Sequence, residues 1–169
     1  MKKRIVVLVL VGLLAVAAGG FALKSTPDFG IGAELTSINF DKWGGMLVLH
    51  IPKVPLYFGL GANFLGGAVG TYELAATVDY WLLHKPIGSG FFSWYLGLGG
   101  YGAIAFDPDG FALGVRLPIG LQIWPLENER LELFLEGAPA WVPLTGGDVD
   151  LGNFQAQVAL GFRVWFERG

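Results

Sequence analysis

The 169-residue chain is 53% hydrophobic and only 15% charged, where soluble domains carry about 25% charged residues, so it is short of charge for a wet surface. Its 27 glycines are dispersed through apolar segments, which excludes a flexible linker and a collagen repeat. A net charge of −3 without basic clusters excludes nucleic acid as a partner, and the absence of cysteine excludes disulfides and a lipoprotein anchor.

The chain begins with a basic stretch, Lys2, Lys3 and Arg4, an apolar run from Ile5 to Ala18, and the small-x-small triplet Gly20-Phe21-Ala22. This order predicts a helical secretory signal peptide over residues 1–22, cleaved to leave one domain over residues 23–169. The competing reading is an N-terminal membrane anchor; dilution by Ala and Gly toward the end of the run speaks against it. The remainder holds no long apolar run, so a helix does not carry it across a membrane.

Eight segments of period-two alternation follow, separated by turn-forming residues. Residues 29–40 (FGIGAELTSINF) run to a turn at DKWGG, and residues 46–51 (MLVLHI) end at Pro52. Residues 55–65 (PLYFGLGANFL) precede GGAVG, and residues 71–82 (TYELAATVDYWL) precede HKPIGSG. Residues 93–106 (SWYLGLGGYGAIAF) lead through DPDG into residues 111–125 (FALGVRLPIGLQIWP), which reach LENER. Residues 131–144 (LELFLEGAPAWVPL) lead through TGGDVD into residues 154–166 (FQAQVALGFRVWF). Pro118 sits in mid-strand without a ladder donor, and a bulge is expected there.

One face of each segment is apolar, as with Leu56, Phe58, Leu60, Ala62 and Phe64, or Val158, Leu160, Phe162, Val164 and Phe166. The other carries small and polar residues, such as Gly30, Gly32, Glu34 and Thr36, or Gln155, Gln157, Gly161 and Arg163. A soluble sandwich or lipocalin would bury the apolar face and show water a poorly soluble surface of Gly, Ala, Tyr and Trp. The inverted arrangement fits better. Apolar side chains meet lipid, and small and polar ones fill a narrow lumen.

Most segments exceed the roughly 9–11 residues a tilted strand needs to cross a bilayer. All six tryptophans, Trp43, Trp81, Trp94, Trp124, Trp141 and Trp165, lie near segment ends, as do Tyr57, Tyr80 and Tyr95. Amphipathic rings gather at the headgroup level, so these are expected as interface aromatics. The fold class that follows is all-β: an eight-stranded antiparallel up-and-down transmembrane β-barrel. An even strand count puts both termini on one side, which for an exported protein is the periplasm, and leaves short acidic turns outside. The last segment ends on an aromatic as outer-membrane assembly signals do, three residues before the chain ends.

Three stretches carry a family resemblance: GVRLPIGLQIWP (residues 114–125), LELFLEGAPAW (131–141) and GFRVWF (161–166). They resemble a family of small, eight-stranded, OmpA-like or OmpX-like outer-membrane barrels with members in spirochaetes. The family pattern runs G-x-R-x-P-x-G-L, then P-L-E-x-F-x-E-x-A-P, then G-x-R-Y-Y-F. Arg130 stands where the second motif has Pro, and Val164-Trp165 replaces the paired Tyr. The resemblance covers about the C-terminal third and implies a location and a fold, with no catalytic residues.

The inner face is expected to gather Glu34, Glu73, Asp79, Arg116, Glu132, Glu136 and Arg163 into a charge network. Pairing across TGGDVD puts Arg163 opposite Phe134, diagonal to both Glu132 and Glu136, with Arg116 on the other flank. A salt-bridged plug is one reading of this set and a gated or proton-conducting pore the other. His50 and His84 fall at strand ends away from the outer leaflet, and the four serines Ser25, Ser37, Ser89 and Ser93 pair with neither. No catalytic residue, metal ligand or cofactor site is assigned. The expected protein is a non-enzymatic outer-membrane barrel with a structural or surface-interaction role. The alternatives are a narrow pore for water or small ions and a soluble periplasmic lipid-binding barrel. Its expected partners are outer-membrane lipid and, through the last strand, the barrel-assembly machinery; an extracellular ligand has no signature in the residues.

Overall fold

A computed structural model describes residues 29–52, 54–64, 72–88, 90–106, 109–126, 128–146 and 148–166; the expected signal peptide lies outside them. The strands are β1 (Phe29–Ile38), β2 (Lys42–His50), β3 (Tyr57–Phe64), β4 (Tyr72–Ile87), β5 (Phe92–Phe106), β6 (Asp109–Arg116), β7 (Ile119–Ile123), β8 (Leu131–Thr145), β9 (Asp148–Val149) and β10 (Phe154–Phe166). The barrel strands pair antiparallel in chain order, and β10 returns to pair with β1, closing the sheet. β6 and β7 are two halves of one barrel strand, because both pair with β5 on one side and β8 on the other. β9 is a two-residue lip on β8. The result is an eight-stranded antiparallel barrel.

The faces divide as strict alternation requires. Leu35, Leu47, Leu60, Ile104, Leu121, Leu135 and Leu160 all stand exposed on the outside, Leu60 by 65%. Their strand neighbours Thr36, Val48, Gly59, Ala103, Gln122, Glu136 and Ala159 are buried. The barrel is therefore apolar outside and polar inside, the reverse of a water-soluble core.

Several local expectations need correction. The first turn is not DKWGG: β1 pairs with β2 as far as Ile38–Lys42, so Lys42, Trp43, Gly44 and Gly45 are strand. Asn39 and Phe40 make the turn with φ of 53° and 62°; Asn accepts that left-handed geometry, and its side chain also accepts a bond from the Ala156 N–H at 2.8 Å. β4 runs on through His84-Lys85-Pro86-Ile87 instead of turning there, after a bulge between Trp81 and Leu83. Pro118 makes no bulge. The β5 register passes unbroken from Gly99–Arg116 to Leu96–Ile119, and the ladder simply lapses at Leu117 and Pro118. The register slip in this wall lies on its other side, against β8 between Leu113 and Val115.

Candidate functional site

The barrel interior is the candidate site, and its contents fall into layers. At the end where β1 begins and β10 finishes, inward rings line the lumen. Tyr57 stacks on Trp81 at 3.8 Å between centroids, and Trp81 stacks on Tyr95 at 4.1 Å. His50 packs on Tyr57 and Trp165, at 4.7 and 5.4 Å, and Trp124 stands 6.3 Å from Trp165. Tyr95 needs Gly120 opposite it, since a Cβ at residue 120 would overlap the Tyr95 ring.

Arg163 lies on this layer. Its guanidinium carbon is 5.2 Å from the Tyr57 ring, 5.3 Å from Trp81 and 4.0 Å from Phe134, within cation–π range of all three. Its Nη1 donates to Glu132 at 2.5 Å. The same carboxylate accepts from Gln122 at 2.7 Å and from the Trp165 indole N–H at 2.9 Å. Glu132 and Gln122 are fully buried, so the charge survives out of water because three donors surround it.

A second cluster sits deeper. Arg116 pairs with Glu136 and, through Nε, with Asp79 at 3.2 Å. It also donates to Gln157 Oε1 at 3.0 Å, and the Tyr95 hydroxyl donates to Glu136 at 2.5 Å. Tyr95 thereby ties the aromatic layer to this pair. Glu34 points into the same space, where the charges of Glu136, Arg163, Arg116 and Asp79 act on it. Toward the opposite end, where β1 turns into β2, Glu73 accepts from Asn63 at 3.1 Å and Tyr101 at 3.3 Å, and Lys42 stands 3.5 Å away. Thr36 donates to Asn63 at 3.0 Å. A small recess of about 20 Å³ opens here, lined by Thr36, Asn63, Thr77, Tyr101, Arg116 and Gln157 among others.

The structure thus brings the predicted charged residues together as three clusters, not one network. Glu73 stands apart with Lys42. Arg163 is directly opposite Glu132, and it is Gly161 that faces Phe134. The register across the last hairpin differs from the expected one by two residues, because β9 and the residues after it lengthen the connection. Among the described residues no three His, Asp or Glu side chains converge on a metal-sized site.

No known protein family and no curated protein matches the chain in sequence. Among solved structures it is similar to Neisserial surface protein A, at a TM-score of 0.51 and 13% identity, over 85% of this chain and 100% of that one. The fold is that of a small outer-membrane barrel. Two further outer-membrane proteins align with it: the N-terminal β-barrel domain of Pseudomonas aeruginosa OprF (TM-score 0.49, 14% identity, covering 85% and 100%) and a major outer membrane protein of Thermus thermophilus (0.38, 16%, covering 82% and 98%).

The tryptophans expected at the membrane interface divide evenly in this barrel. Trp43, Trp94 and Trp141 are on the outer face, Trp141 donating its indole N–H to the Leu151 carbonyl at 3.0 Å. Trp81 and Trp165 are buried inside, and Trp124 turns inward to donate to Ser93 at 2.8 Å; Tyr57 and Tyr95 join them. Their place near strand ends assigns all of these to the lipid interface when the sequence is read alone. The signal that separates them is parity: Trp165 shares the face of Arg163, Trp81 that of Asp79, and Tyr95 that of Gly97 and Gly99.

Proposed function

We propose that this protein is an integral outer-membrane barrel with a fixed polar and aromatic plug, serving as a non-enzymatic structural or surface-interaction component of the envelope. The observation that carries this reading is the Tyr57–Trp81–Tyr95 stack capped by Arg163 and tied through Tyr95 to Glu136. Ions would have to displace stacked rings and break a fully buried ion pair to pass. The exposed apolar outer face supports a bilayer location. In this reading the chain is exported by a leader cleaved near Ala22, the termini face the periplasm, and the short turns face outward. β10 ends on the outward ring of Phe166 and is the segment offered to the assembly machinery.

Planar-bilayer recording of the refolded protein tests the plug. We expect no unitary conductance; discrete channel steps would favour the narrow pore instead. Fractionation with heat-modifiable gel mobility tests the location, and recovery in the soluble periplasm would overturn it.

A further inference from the structure

Lys85 stands on the apolar side of the wall. Ser93 and Tyr95 are buried toward the lumen, so Trp94 between them faces outward, and Lys85 pairs with Trp94 across β4 and β5. The other described strand cations, Lys42, Arg116 and Arg163, all turn inward to carboxylates. Lys85 is exposed, and among the described residues no carboxylate pairs with it.

The outer face is apolar on both sides of this cation along the barrel. Leu83, Leu96 and Ile119 form the row nearer the middle; Lys85 shares the next row with Trp94 and Leu121; Ile87, Phe92 and Ile123 form the row beyond. Ile87, Phe92, Ile119 and Leu121 all stand exposed. Outward rings mark the other end of these strands, where Phe64 is in register with Tyr72 and Tyr72 lies 5.7 Å from Phe106. From Tyr72 to Lys85 the chain climbs about 33 Å along the barrel axis, at a rise of about 3.3 Å per residue and a tilt near 40°. The apolar band of such a barrel is about 25 Å tall, so with Tyr72 at one interface Lys85 stands among the headgroups of the other.

An ammonium there calls for an anion, and the rows around it call for hydrocarbon. A phospholipid with a negative headgroup supplies both in one molecule. The opposite end has the wrong charge for it, since Asp41 and Asp150 are exposed there and Lys42 is held by Glu73. We propose that the outer face of β4, β5 and β7 binds an anionic phospholipid in the leaflet at the end where β10 finishes. Lys85 holds the headgroup phosphate, the acyl chains lie on Leu83, Leu96 and Ile119, and Ile87 and Phe92 screen the ion pair from water on its far side. This site rests on the bilayer location proposed above.

Brominated lipids test it, because bromine on an acyl chain quenches a nearby indole. The protein is refolded in phosphatidylcholine vesicles with a minority of phosphatidylglycerol, and the same mole fraction of bromine is placed on one headgroup class or the other. The Trp94 signal is the difference between the parent and Trp94→Phe. Its quenching should report a preference of about fivefold for the anionic lipid, as one lysine at an anionic surface gives. Lys85→Gln should abolish the preference and Lys85→Arg should keep it. Glycerol phosphate on both sides of the vesicles should leave it unchanged; competition would mean that a free phosphate ester is bound, and would overturn the lipid site. Equal quenching of Trp94 by the two lipids, or a preference that survives Lys85→Gln, would overturn the site and leave the bilayer location standing. Quenching by neither lipid would overturn both.

Discussion

Trp165 and Phe166 are adjacent in the chain and on opposite sides of the wall. The first is 7% exposed and donates to Glu132; the second is 51% exposed and faces outward beside Phe29. In a one-layer barrel a single step along the strand is the difference between lumen and lipid. Composition near strand ends could not reveal this, because interface belts and lumen plugs use the same aromatic residues; parity could, since Arg163 fixes which face is inside. Arg163 is also the residue on which the inner layer depends. Replacing it with Ala leaves Glu132 buried and without its cation, at a cost of about 3–5 kcal/mol. We expect a markedly lower melting temperature for Arg163→Ala in detergent micelles, followed by loss of heat-modifiable mobility; an unchanged transition would mean that Gln122 and Trp165 suffice to hold the carboxylate.

The alternating elements were legible in the sequence because every strand here has two solvents to answer to. β5 and β10 match the segments read from period two almost residue for residue. Their ends were harder to place. Asn39 and Phe40 turn the chain with no glycine or proline to mark them, while the glycines of DKWGG lie in strand β2. Glycine in a narrow barrel often marks a neighbour's bulk, as Gly120 does under Tyr95, and so loses its value as a turn signal. The outer face of an element is tested by charge. Leu60 lies near the middle of β3 and points outward; Leu60→Arg should cost about 2–4 kcal/mol if it meets the bilayer midplane. Equilibrium unfolding in lipid vesicles measures this, and a neutral result would place that face outside the hydrocarbon.

At the scale of the whole molecule, the inner aromatic and charged layer is built of groups contributed by strands from opposite walls. The stack joins β3, β4 and β5, and Arg163 from β10 rests on it. The occlusion we propose therefore belongs to the assembly, and no single segment displays it. Removing two of its rings with Trp81→Ala and Tyr95→Ala should create measurable single-channel conductance where the parent protein shows none. A silent double variant would assign the seal to the Arg163–Glu132 and Arg116–Glu136 layers.

The cross-lumen bonds also set an order of events. Arg116 on β6 reaches Asp79 on β4 and Gln157 on β10, and Thr36 on β1 reaches Asn63 on β3. An incomplete sheet entering a bilayer would carry these groups without their mates, each needing water until its counterpart arrives. β10 contributes Gln157 and Arg163 and also seals the sheet against β1. Closing the wall and pairing these two groups are therefore one event: Gln157 and Arg163 meet Arg116 and Glu132 as the final strand takes its place between β8 and β1.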